Sequence, residues 1–129
     1  DKIIDIATLT GGCIIALGNL TAALLGSDQK LVDLLVDTSK ETGEKMWQLP
    51  LFEEYFDQIK SDIADVKNSG GREASTITGG MFLKQFVDKT PWVHIDIAGK
   101  ELTDKQKGYL VKGATGYGTR TLAAAVLKI

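Results

Sequence analysis

Two short runs constrain this chain most: Ile3-Ile4-Asp5-Ile6-Ala7 near its start and Trp92-Val93-His94-Ile95-Asp96-Ile97-Ala98 near its end. Both are rich in β-branched residues, as strands are. Neither shows the alternation of apolar and polar positions that a strand with one wet face carries, so both read as strands buried on two sides. A sheet of such strands needs helices over each face, which predicts an α/β fold with a mixed, largely buried sheet.

The stretch between the two strands supplies helices. Ser27 and Asp28 offer a cap, Leu31, Leu34 and Leu35 recur at i, i+3, i+4, and Gly43 follows the last turn, so a helix is expected there. Leu20 to Leu25 is a weaker strand candidate. Pro50 stops any helix crossing it and suits the start of a second one from Leu51 to about Lys60, with Phe52, Tyr55, Phe56 and Ile59 at helical spacing. Ile63 to Val66 is a short strand candidate, and Asn68 to Gly71 is a turn cluster. Ser75 or Thr76 caps a third helix with Ile77, Met81, Phe82 and Phe86 inward. Gly118 or Thr119 opens a last helix whose Leu122, Ala125, Val126 and Ile129 form its apolar stripe.

Length and charge narrow the function. At 129 residues the chain fits one domain that buries about two-thirds of its unfolded surface. Fifteen Lys and Arg against 17 Asp and Glu leave a net charge of -2, without a long block of one sign, so neither nucleic acid nor an anionic membrane is the expected partner. Ile14 to Leu25 is interrupted by Gly18, Asn19 and Thr21, too early for a membrane span. Cys13, the single cysteine, has no internal partner for a disulfide, which points to a reducing, cytoplasmic setting and to a role as a small buried hydrophobe. The chain opens at Asp1 inside its first strand, and a longer parent protein is expected.

Few side chains suggest chemistry of their own. Asp5 and Asp96 resemble a carboxylate pair for acid/base work, but an acid in the middle of a strand more often accepts backbone hydrogen bonds or closes an ion pair. His94 and Asp96 have the H-x-D look of metal ligands, yet His94 is the only histidine, and a metal site generally needs three or four ligands. No G-x-S-x-G elbow is present, and a Cys13–His94 thiol centre has no local signature. Two glycine-rich stretches, Asn68 to Arg72 and Gly113 to Gly118, each precede a helix and could cradle an anion; neither has nucleotide-binding spacing, and turn-plus-cap is the simpler reading. The small residues after both strands, Thr8-Leu9-Thr10-Gly11 and Ala98-Gly99, fall where α/β sheets bind ligands, beyond the carboxyl ends of strands.

Seven segments, in order, are IIDIATLTGG, ALGNLTAALLG, MWQLPL, SDIADVKNSGG, FLKQFV, PWVHIDIAG and KGATGYGTRTL. Together they resemble the C-terminal part of the catalytic domain of the leucyl (cytosol) aminopeptidases, from end to end. The resemblance implies that residues 1–129 are a portion of a mixed α/β catalytic domain from a cytoplasmic hexamer. It also implies two divalent cations (manganese, zinc or magnesium) that deliver a hydroxide to the peptide bond, and release of N-terminal residues from peptide substrates. The family's cation ligands lie in motifs including N-T-D-A-E-G-R, which this chain lacks, so no catalytic or metal-binding residue is expected on it and it is expected to be inactive alone.

What the resemblance carries over is a substrate-binding set. Thr8 and Gly11 line the pocket for the first side chain, the Leu9 carbonyl and Gly11 N–H meet the peptide backbone within the Thr8–Gly11 segment that includes Thr10, and Ala98 belongs to the same pocket. Lys100, Glu101 and Leu102 stand where the family often has large apolar residues, which leaves the preference for leucine open. The alternative is a short non-catalytic binding module that keeps the fold.

Overall fold

The computed structural model describes all 129 residues, Asp1–Ile129. Four strands, β1 (Ile3–Ala7), β2 (Ala22–Gly26), β3 (Met46–Gln48) and β4 (Trp92–Asp96), form one sheet in the order β1-β4-β2-β3. β1 runs parallel to β4, β4 antiparallel to β2, and β2 parallel to β3. The register sets Asp5 opposite His94 and Ala7 opposite Asp96. The carboxyl ends of the two sequence-predicted strands therefore lie side by side. β5 (Leu102–Thr103) and β6 (Gly113–Ala114) make a small separate ribbon.

Helices cover both faces of β2 and β4, which are buried almost throughout, whereas β1, expected to be buried on both sides, lies at the sheet edge and keeps Ile3, Ile6 and Ala7 exposed. On one side α2 (Gln29–Thr42) and α4 (Thr119–Val126) pack with Leu24, Val93 and Ile95 in a core that includes Leu31, Val32, Leu35 and Ala125. On the other, α1 (Gly11–Leu17) and α3 (Ser75–Lys84) cover Ala23, Leu25 and Ala98, with Cys13 fully buried among them. α2 is bounded as its sequence predicts: Asp28 Oδ1 accepts the Leu31 N–H at 2.8 Å, and Gly43 closes the helix at a left-handed φ of 76°.

Several expectations need correction. The segment after Pro50 is a 3₁₀ helix, Glu53–Ile59, rather than an α-helix from Leu51. A three-residue turn lines up Phe52 with Tyr55, whose rings stack 6.4 Å apart, and only Ile59 is fully buried while Phe52 is exposed. Ile63 to Val66 is not a strand. The Ser61 hydroxyl accepts the Ile63 and Ala64 N–H groups, bending the chain, and Ile63 is 98 % exposed. α3 has no side-chain cap: it starts at Ser75 after Ala74, which takes a left-handed φ of 50°. Phe86 lies past the end of α3 and is exposed. α1 and β3 carry no periodic signal long enough to read, the first because it opens on two glycines and the second because it is three residues long.

Within the sheet β1 pairs on one side only, with β4. Beside it, Ile4, Leu122, Val126 and Ile129 border a cavity of about 510 Å³. Val126 and Ile129, expected inside, are thus largely open to solvent. Gly118, where α4 begins, holds a φ of 91°, and a Cβ there would fall 2.4 Å from Ile6 Cδ1, so the helix approaches β1 through a glycine.

Near the β1 edge, Asp5 accepts from Trp92 Nε1 at 2.6 Å and pairs with His94 Nδ1 at 2.5 Å. Burial pushes its carboxyl up, but these hydrogen bonds together outweigh it and hold the group below 3.8. A depressed carboxyl contributes stability above its unfolded value and loses it as pH falls through the folded one. Urea midpoints measured as a function of pH are therefore expected to drop below about pH 3.8. Asp5→Asn is expected to flatten that drop while lowering stability at neutral pH.

Candidate functional site

Asp96 organises the end of the sheet. Its side chain is fully buried at the last position of β4. Oδ1 accepts the Leu9 N–H at 3.2 Å and the Ala98 N–H at 3.1 Å; Oδ2 accepts the Thr10 hydroxyl at 2.6 Å. One carboxylate thus joins the segment after β1 to the segment after β4. The Ile97 N–H, donated to Ala7 O at 2.9 Å, adds a backbone link. Asp96 is a structural acceptor, and Asp5, tied to Trp92 and His94, is not its partner in acid/base chemistry.

Thr10 is wholly used in this framework. Its Oγ1 caps α1 by accepting the Cys13 N–H at 3.2 Å and also meets Thr76 Oγ1 at 2.9 Å, which ties the cap to α3. α3 comes close because it is glycine there: a Cβ on Gly79 would stand 2.9 Å from Thr10 Cγ2 and 3.0 Å from Leu9 Cδ2. Leu9, Thr10 and Gly11 then border a cavity of about 330 Å³, closed opposite by Asn68–Gly71 and by Ser75 and Thr78 of α3. Gly11 N–H sits in the first turn of α1, where no intrahelical acceptor exists.

Of the residues singled out from sequence, Leu9, Thr10 and Gly11 share this cavity. Ala98 is joined to them through Asp96 but is buried and does not border the cavity, and Thr8 is exposed outside it. Sequence reasoning missed Asn68–Gly71 as part of this wall, although their turn composition was plain. It also missed Lys100, which is only 2 % exposed and turns inward. Lys100 Nζ donates to Ala98 O at 2.7 Å and lies 3.2 Å from Cys13 Sγ. The lysine locks the turn after β4. Glu101 keeps one buried carboxylate oxygen without a partner, and Leu102 is exposed.

His94 is fully buried with Nε2 unpartnered. No three His, Cys, Asp or Glu side chains converge in a way that would hold a metal ion. Burial pushes the Cys13 thiol up despite the lysine beside it, the opposite of what a nucleophilic cysteine requires. No helix is long and apolar enough to cross a membrane.

A mixed sheet with helices on its faces, and a small-residue cavity where parallel strands end, defines an α/β protein with a candidate site at the strand carboxyl ends. The sequence profile of the cytosol aminopeptidase family, catalytic domain, matches residues 1–123, and the chain belongs to that family. It is 54 % identical over 127 residues to a probable cytosol aminopeptidase of Gloeobacter violaceus, covering 98 % of this chain and 25 % of that protein. A relative from Geobacter sp. (strain M21) is 56 % identical over 119 residues, covering 92 % and 24 %. Among solved structures, a tomato leucine aminopeptidase variant superposes with a TM-score of 0.92 at 42 % identity, covering 99 % of this chain and 25 % of that one. The bottromycin maturation enzyme BotP, in complex with Mn, gives 0.91 at 34 %, covering 98 % and 28 %. The chain spans about a quarter of the length of these relatives.

Removing the Asp96 carboxylate takes the acceptor from three donors at once. Asp96→Ala is expected to destabilise the fold by about 3–5 kcal/mol in urea unfolding, more than Thr10→Ala, which loses the cap and one of the carboxylate's three donors, about 2 kcal/mol. Cys13 is expected to resist a thiol-specific chromogenic reagent in the folded chain and to react fully in denaturant. Rapid labelling without denaturant would contradict its placement.

Proposed function

We propose that this chain is the C-terminal portion, residues 1–129, of the catalytic domain of a two-metal aminopeptidase that removes N-terminal residues from peptides. It supplies walls of the substrate pocket. The observation that carries this reading is the joining of Leu9–Gly11 to Ala98 through one buried carboxylate, in a chain matched to the aminopeptidase catalytic domain. In this reading Thr8, Gly11 and Ala98 face the substrate's first side chain, while the Leu9 carbonyl and Gly11 N–H bond its backbone; because Thr8 and Ala98 lie outside the Leu9–Gly11 cavity, the rest of the domain is needed to complete that pocket. Thr10 positions that segment rather than touching substrate.

The cations, manganese, zinc or magnesium, and their ligands belong to the part of the longer protein outside these residues. When bound they supply a metal-activated hydroxide. The open β1 edge and the apolar cavity next to it are surfaces that the rest of such a domain would cover, since an unpaired strand beside apolar surface invites association. The intact protein is read as a cytoplasmic homo-oligomer, a hexamer by family resemblance, that acts on peptides rather than on nucleic acid or membrane.

A chimera tests this directly. The 129 residues are joined to the remaining three-quarters of the Geobacter relative in place of its matching segment. The chimera, loaded with manganese or zinc, is expected to hydrolyse leucine anilides and to lose that activity to a chelator. The 129-residue chain alone is expected to show no metal-dependent turnover. An inactive but folded chimera, or a chain that turns over substrate by itself, would overturn the assignment.

A further inference from the structure

A third cavity, intermediate in size between the one at Leu9–Gly11 and the one beside β1, has no part in the reading above. It encloses about 430 Å³ between the turn after α2, the β5–β6 ribbon and the start of α4. Charge sets it apart. Lys45, Lys100, Lys105 and Arg120 border it; Lys100 is taken up by Ala98 O and Cys13, and neither Lys45 nor Lys105 has an ion-pair partner. Of its acids, Glu44 is already consumed. Its buried Oε2 accepts the Thr121 N–H at 2.9 Å and the Thr121 hydroxyl at 2.7 Å, and its Oε1 lies 3.4 Å from Arg120 Nε. Asp104 is the one acid of the lining left unpaired, so cations remain in excess.

Arg120 is held ready for an anion. Its guanidinium carbon sits 4.3 Å from the centre of the Tyr109 ring, and Nη2 donates to the Tyr109 hydroxyl at 2.6 Å. Stacking on one side and Glu44 on the other fix its plane, and Nη1 keeps two N–H donors with no acceptor. A planar donor group immobilised in advance binds a carboxylate with less loss of side-chain entropy than a free one. The same cavity carries apolar surface, since Leu20 and Leu102 at its border are both more than half exposed.

We propose that this cavity is a binding site for a small organic carboxylate with an apolar side chain, the chemistry of an amino acid or the carboxyl end of a short peptide. Arg120, with Lys45 and Lys105, takes the carboxylate, while Leu20 and Leu102 cover the side chain. The site is separate from the Leu9–Gly11 cavity and does not depend on the aminopeptidase assignment. Its walls come entirely from residues 19–120 of this chain.

The test uses three probes: N-acetyl-leucine, its amide, and inorganic phosphate. Amide chemical shifts of the 129-residue chain are followed during titration, and calorimetry on the full-length chimera repeats the measurement where the rest of the catalytic domain is present. N-acetyl-leucine is expected to move Gly43, Gly99, Thr103 and Thr115 and leave Leu9–Gly11 in place. The amide and phosphate are expected to bind at least tenfold more weakly. The double substitution Lys45→Gln with Lys105→Gln changes two exposed side chains outside the core, and is expected to weaken N-acetyl-leucine roughly tenfold. Phosphate or the amide binding as tightly, an unchanged affinity in the double variant, shifts confined to Leu9–Gly11, or no binding in either protein would each overturn the proposal.

Discussion

The arrangement at the end of the sheet depends on one buried charge. Asp96 sits where β1 and β4 finish side by side, and both backbones need an acceptor there because the ladder has run out. A carboxylate is suited to this because it accepts several N–H and O–H groups at once and donates none. Burying it is tolerable only because Leu9, Thr10 and Ala98 all point donors at it. The capping of α1, the contact of Thr10 with Thr76, and the approach of α3 through Gly79 all follow from where that carboxylate holds Thr10. The pocket wall is therefore set by an acid that does not itself border the cavity.

How much of this was legible in the sequence depends on the length of each signal. β4 was readable from its unbroken apolar run and α2 from a helical repeat closed by caps, while β1 and α4 were found by composition and period although β1 is half-exposed at the sheet edge and α4 has no side-chain cap. α1 was not, since its first turn is Gly11-Gly12 and its register is imposed by the Thr10 cap, itself held by Asp96. The helix after Pro50 shows a different limit: Phe52, Tyr55, Phe56 and Ile59 fit 3.6 residues per turn better than three, yet the segment is 3₁₀, so a periodic run this short does not fix the helix type. The inward turn of Lys100 has no local signature either, because a lysine beside a glycine reads as surface until Ala98 O and Cys13 are placed next to it. Of the cavity at the strand ends, Leu9–Gly11 stood out in the sequence, whereas Thr8 falls outside it and the opposite wall, Asn68–Gly71, joins it only through tertiary packing.

The two glycine-rich stretches, alike as sequence, part company in the structure. Gly113–Gly118 leads into α4, whose N-terminus is already occupied by an anion from the chain itself, the Glu44 carboxylate on Thr121. Helix-end electrostatics are thus spent on folding, and the residual charge of the nearby cavity comes from side chains. Asn68–Arg72 leads into α3, which has no side-chain cap and begins from a strained left-handed Ala74. There Ser75 is pressed against α1: a Cβ on Gly12 would fall 2.1 Å from its hydroxyl.

That close approach explains why both helix starts in this region are built from small residues. Bulk at Gly12 would drive α3 away from α1, and bulk at Gly79 would drive Leu9 and Thr10 off their acceptor. Either displacement breaks the hydrogen bonds that join the ends of β1 and β4, because Thr10 is shared between the α1 cap, Thr76 and Asp96. Small side chains in this pocket thus answer two requirements together. They leave room at the carboxyl ends of the strands, and they let two helices converge on the single threonine that orients the wall.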